Sequence, residues 1–155
     1  MISPEMLKRY PFFGQLSDGH IKALAAIAEE VTWESGEAIF ELGDRAEALY
    51  FLKEGSIDLY DRSEDINKPE LTKEFLVGQV NPGEPFGISA LLEPNKLIAT
   101  AVAGKPSAGI RMDGEKLNEM SAAELEMENA LLRELARAIL ERLTYARVQL
   151  AAARP

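Results

Sequence analysis

Between Thr32 and Arg111 the chain reverses about every ten residues, and that rhythm limits the folds open to it. Short apolar segments run over Ala38–Glu41, Ala48–Lys53, Ser56–Asp61, Lys73–Val80, Ala99–Ala103 and Ser107–Met112. Between them lie Ser35-Gly36, Gly43-Asp44, Glu54-Gly55, Asn81-Pro82-Gly83 and Gly104-Lys105-Pro106. Closely spaced short strands with frequent glycine turns predict a sandwich or barrel. Asp61–Glu70, DRSEDINKPE, is polar throughout and reads as a solvated hairpin tip.

Helical patterns flank this region. Leu16–Val31 reads as a helix capped by Ser17, with Ile21, Leu24, Ala25 and Ala28 on one face. Phe12 and Phe13 just before it are expected core anchors, and Trp33 and Tyr60 are expected to pack as strand aromatics. A short helix is expected through DGEKLNEM after Asp113. Ser121 and Glu124 then form a capping-box pattern ahead of a helix reaching about Ala152. That helix carries two apolar stripes. One holds Leu132, Leu135, Ala136, Ile139, Leu143, Ala146 and Leu150; the other holds Met127, Leu131, Ala138 and Tyr145. One stripe suffices to dock a helix on one body. The second predicts another contact, and self-pairing is the simplest, with Leu132, Leu135, Ile139, Leu143 and Ala146 as the dimerisation residues. The chain thus divides into residues 1–120, an N-terminal helix with the β domain, and 121–155, the C-terminal helix.

Composition removes several function classes. The 155 residues include no cysteine, which excludes disulfides, thiolate metal ligation and thiol catalysis. The one histidine, His20, falls in the first helix, so a histidine-rich metal site or acid–base relay is not expected. The net charge of −9 argues against a nucleic-acid-wrapping surface. No apolar run approaches the roughly 20 residues needed to span a bilayer. MISPEMLKRYPFF lacks an apolar signal core, so a cytoplasmic protein is expected.

Three stretches resemble a known family: LKRYPFFGQLSDGHIKALA, then W-E-SGEAIFELGDRAEALYFLKEGSIDLY, then VNPGEPFG. Together they are similar to cyclic-nucleotide-binding domains, found in bacterial regulators of the catabolite-activator type, kinases and ion channels. The spacing of Gly36, Gly43, Asp44, Tyr50 and Gly55 carries the resemblance. It implies a mainly β fold, a jelly-roll barrel flanked by helices, with a long C-terminal helix that pairs with its copy.

The resemblance also locates a binding cassette, at Phe86, Gly87, Ile88, Ser89 and Ala90. Family members place a glutamate after the glycine to take the ribose hydroxyl; this chain has Ile88. They place an arginine, then a small residue, before an Ala-Thr-like strand start. Anchoring on Ala99-Thr100 puts Leu97 at the arginine position and Ile98 at the small one. Lys96 is the nearest cation, but in an extended segment it points opposite to Leu97. The expectation is a non-catalytic regulatory or sensory domain with a degenerate phosphate cassette and no cofactor. It would act through an altered ligand or a protein partner. The alternatives are a true cyclic-nucleotide receptor rebuilt around Ser89 and Lys96, or the sensor of a transcription regulator whose DNA-reading module is not in these residues. A metal-dependent jelly-roll enzyme lacks its ligands.

Overall fold

A computed structural model describes residues 2–63, 67 and 73–154. Among the described residues, eight strands form two antiparallel four-stranded sheets. In the first, β1 (Ala28–Trp33), β8 (Ser107–Asp113), β3 (Ala48–Glu54) and β6 (Pro85–Phe86) lie in that order. In the second, the order is β2 (Ala38–Phe40), β7 (Thr100–Ala103), β4 (Ile57–Ser63) and β5 (Lys73–Val80). The expected jelly-roll architecture is present, and all six anticipated strands form. Of the anticipated hairpin tip, Asp61–Ser63 belong to β4, and residues 64–66 and 68–70 lie outside the described residues.

Within the first sheet, β3 is buried on both faces over Ala48–Leu52. Leu49 and Phe51 join the helix-side core with Ile110 and Met112 of β8. Leu52 faces the other way, into the space between the sheets, with Trp33, Ile57, Val80, Phe86 and Ala101. Trp33, Tyr50 and Phe86 stack there edge-on or face-on, with centroids 5.1–5.9 Å apart. On the helix side, Phe12 and Phe13, in the 3-10 turn Pro11–Phe13, pack on Phe51 at 5.0 and 4.8 Å.

Two helical expectations need correction. Helix α2, after α1 (Pro4–Lys8), covers only Asp18–Ala26, with the Ser17 hydroxyl accepting from the His20 amide at 3.2 Å. The chain from Ala28 onward is strand, not helix, because it pairs with β8 from Ala28↔Met112 to Trp33↔Ser107. The alanines favour helix, but Val31, Thr32 and Trp33 favour a pleated sheet, and six paired residues outweigh a weak propensity.

The capping box at Ser121 does not form. Asp113 caps helix α3 (Gly114–Ala123), so Ser121 lies inside that helix, its buried hydroxyl without a partner among the described residues. The break falls at Glu124, in extended conformation, and its carboxylate takes the His20 ring nitrogen at 3.2 Å instead of capping. Helix α4 then runs Leu125–Ala152, about 42 Å at ~1.5 Å per residue. Its first half is anchored by Met127, Leu131 and Leu135, each at most 2% exposed. Burying three such side chains contributes roughly 1.5–3 kcal/mol apiece. Leu135 therefore belongs to the chain's own core and is not available to a second copy. Leu132, Ile139, Leu143 and Leu150 remain 37–63% exposed, and Ala146 is exposed as well.

Candidate functional site

The second half of α4 leans over the open side of the second sheet and encloses a cavity of about 410 Å³. The strands contribute Leu59 and Asp61 from β4, and Val77 and Gln79 from β5. The opposite wall is the cassette, with Phe86, Gly87, Ile88 and Ser89, followed by Leu97, Ile98 and Ala99. Helix α4 closes the top with Ile139, Arg142, Leu143, Tyr145 and Ala146.

The cassette's shape follows from one glycine and two asparagines. Gly87 has φ +69°, and a Cβ there would lie 3.0 Å from the Ala48 carbonyl oxygen and 3.1 Å from the Tyr50 ring. Only glycine adopts that backbone without strain while lying so close to β3. It opens the 3-10 turn Ile88–Leu91. Asn95, itself at φ 60°, donates from its amide to the carbonyls of Ser89, Ala90 and Leu92 at 2.9–3.1 Å. Asn118 of α3 donates to the Ala90 carbonyl and to the Gly114 carbonyl, both at 2.8 Å. The turn is thus tied to the loop behind it and to the helix beneath it.

The candidate residues separate cleanly in space. Phe86, Gly87, Ile88, Ser89, Leu97 and Ile98 line the cavity. Ala90 lies under the turn in the helix-side core. Lys96 is exposed and outside the cavity wall, its backbone bridged to Arg45. Leu97, one residue on, is 6% exposed. Its amide donates to the Asp44 carbonyl at 2.9 Å, and its carbonyl accepts from the Gly43 amide at 2.8 Å. Those two bonds fix which of the neighbouring side chains turns inward. The side chains at both positions where the resemblance implies an ionic ligand contact are therefore aliphatic and on the cavity.

Arg142 was not anticipated. Its guanidinium reaches from α4 across the cavity's end and donates through Nη2 to the carbonyl of Pro85, the residue before Phe86. Burial pulls its pKa below the usual arginine range, and the Glu84 carboxylate opposes that shift. The sequence held one signal for it: an arginine three residues after Ile139 and one before Leu143, inside an apolar stripe. Its target was invisible without the chain path. Ile139, Leu143 and Ala146, anticipated as dimer contacts, also face this cavity within the single chain.

Among the described residues, no group of three acidic or histidine side chains is placed to hold a metal ion. His20 instead borders a separate cleft of about 440 Å³ between α2 and α4, with Arg133, Glu134 and Arg137. Arg137 and Glu134 pair with each other there at 2.9 Å. No helix of the described residues is long and apolar enough to cross a membrane.

Comparison with known proteins agrees with this geometry. A protein from Geobacter metallireducens GS-15, named for cyclic nucleotide binding, superposes with a TM-score of 0.81 at 34% identity, over 92% of this chain and 99% of that one. The regulatory subunit of a cAMP-independent protein kinase A from Trypanosoma brucei shares the fold, with a TM-score of 0.73 at 20% identity, over 94% of this chain and 49% of that one. A CRP-like cAMP-activated global transcriptional regulator of Mycobacterium tuberculosis is 26% identical over 133 residues, 86% of this chain. The chain spans 57% of that regulator's length, and 28% of another curated relative's, a Rhodopseudomonas palustris protein named for a potassium channel. The model of the cyclic nucleotide-binding domain matches residues 30–124, and with that match the chain belongs to the cyclic nucleotide-binding domain family.

Proposed function

We propose that this chain is a non-catalytic regulatory domain whose pocket senses a largely apolar ligand in place of cAMP or cGMP. The observation that carries the reading is Leu97: it lines the cavity where the family places its phosphate arginine, while Lys96 is outside. Ile88 on the same wall stands where the ribose carboxylate is expected. Losing two charge-assisted contacts of ~1.5–3 kcal/mol each removes ~3–6 kcal/mol of ligand binding, or roughly two to four decades of affinity. An aliphatic wall also raises the cost of burying a phosphate. The fold does not oblige a chain to answer to cAMP, since the trypanosome subunit of the same fold is named as cAMP-independent.

Binding would be passed on through α4, which covers the pocket and presents Leu132 and Leu150 to solvent beyond it. A homodimer through this exposed face, in the cytoplasm, completes the reading. The chain would serve as the sensor of a larger regulator or act on a protein partner. Ser89, on the cavity wall, is the residue that a rebuilt cyclic-nucleotide site would use. Calorimetric titration with millimolar cAMP and cGMP decides between the two: weak or absent heat is expected, and saturable micromolar binding of either nucleotide overturns the proposal. Sedimentation of the wild type and Leu150→Glu tests the dimer; a monomeric wild type refutes it.

A further inference from the structure

We infer that Arg142 reads the ligand, and that the ligand is an amphipathic monocarboxylate: an apolar body in the cavity with its carboxylate on the Arg142 guanidinium. The inference rests on the proposal that this cavity is the sensory pocket, and it names the chemical class of the ligand. Among the described residues lining the cavity, Arg142 is the one cation. A guanidinium carries five N–H donors in a planar fork suited to two-point recognition of a carboxylate. The hydrogen bond to Pro85 ends on a neutral carbonyl and leaves donors over. The acidic group acting on Arg142, Glu84, is not part of the cavity wall; it lines a neighbouring groove that Arg142 also borders. Arg142 is half-buried at the pocket's end, and its spare guanidinium donors are completed by an anion from the pocket side.

The rest of the wall limits that anion to one charge and an apolar remainder. Leu59, Val77, Leu97 and Leu143 make most of the wall apolar, and Gln79, Ser89 and Tyr145 are its neutral polar groups. Asp61, also on the wall, repels a second negative charge, which disfavours dicarboxylates and phosphomonoesters. The cavity of about 410 Å³ lies within the range of small-molecule pockets. Because Arg142 is rooted in α4 between Ile139 and Leu143, a carboxylate held there connects the helix to the cassette. The ligand would then bias the position of the element that carries the exposed face.

Titration calorimetry with hexanoate, octanoate and decanoate, each against its matching primary alcohol, tests this. The wild type is expected to bind the best acid at least roughly tenfold more tightly than its alcohol, the low end for a charged hydrogen bond. Arg142→Gln should abolish that preference, and Arg142→Lys should retain part of it. Equal binding of acid and alcohol to the wild type, or an acid preference that survives Arg142→Gln, overturns the inference and leaves the apolar pocket standing. Absence of binding by all three acids overturns it as well. Micromolar cAMP binding would instead remove the pocket reading beneath it. Should Arg142→Gln fail to fold, the acid–alcohol comparison in the wild type and Arg142→Lys still decide.

Discussion

If aliphatic side chains are what separate this pocket from a nucleotide site, restoring the polar ones should restore the nucleotide. The triple variant Ile88→Glu, Leu97→Arg, Ile98→Ala makes that change. Ile88 and Leu97 already line the cavity; the turn that opens with Ile88 is held by the carbonyl bonds of Asn95 and Asn118, and Leu97 by its backbone bonds to Asp44 and Gly43. The backbone needs no rearrangement. Two charge-assisted contacts at ~1.5–3 kcal/mol each predict a gain of at least ~3 kcal/mol in cAMP binding, more than a hundredfold. The changes have a cost in the free protein. Leu97 is 6% exposed, and giving up its burial costs about 1.5–3 kcal/mol of stability. Ile98 is 75% exposed, so shortening it costs little. Without nucleotide the variant should therefore melt below the wild type. With cAMP at about a hundred times its dissociation constant it should recover ~2.7 kcal/mol by linkage. Calorimetry gives the affinity and a thermal melt with and without cAMP gives the linkage. A folded triple variant whose cAMP affinity rises less than tenfold would refute the argument, because the pocket would then fail for reasons of shape, not charge.

Other perturbations test the frame that holds the site. Gly109 sits mid-β8, where an added Cβ would lie 2.5 Å from the Phe51 carbonyl oxygen and 3.0 Å from the Trp33 ring. Gly109→Ala should destabilise by more than about 2 kcal/mol, read as a lower urea midpoint, because backbone and a packed indole cannot both give way. Asn95→Ala removes all three carbonyl bonds and should cost about 1–3 kcal/mol, with hydrogen exchange accelerating selectively over residues 88–92. Tyr10 is buried against Phe13 and Phe51. Burial, with a smaller push from Glu30, raises its phenol above the ordinary 10.0. The unfolded phenol ionises first as pH rises, so this contribution to stability is complete below about pH 10 and is lost as pH climbs through the raised folded value. An ultraviolet titration should show a late-ionising phenol that disappears in Tyr10→Phe.

Much of this protein was legible from residue order because the information is local. A glycine turn followed by a short apolar run specifies a strand whatever its partner, so all six anticipated strands form. The Ser17 cap is a contact between neighbours and needs no tertiary frame. The aliphatic identity of residues 88 and 97 is written in the chain. Where the outcome depended on a distant segment, local pattern misled. Residues 28–31 follow a run of alanines and read as more helix, yet β8, some eighty residues on, takes them into a strand that runs to Trp33. Ser121 and Glu124 have the spacing of a cap, yet Asp113 starts the helix earlier and His20 claims the Glu124 carboxylate. The two stripes of α4 were visible, but periodicity cannot say which neighbour each stripe meets. Only the folded chain assigns Leu135 to the core, turns Ile139 and Leu143 onto the cavity, and carries Arg142 across to Pro85. Periodicity along one helix specifies directions around its axis; the close packing of separate segments decides what waits in each direction.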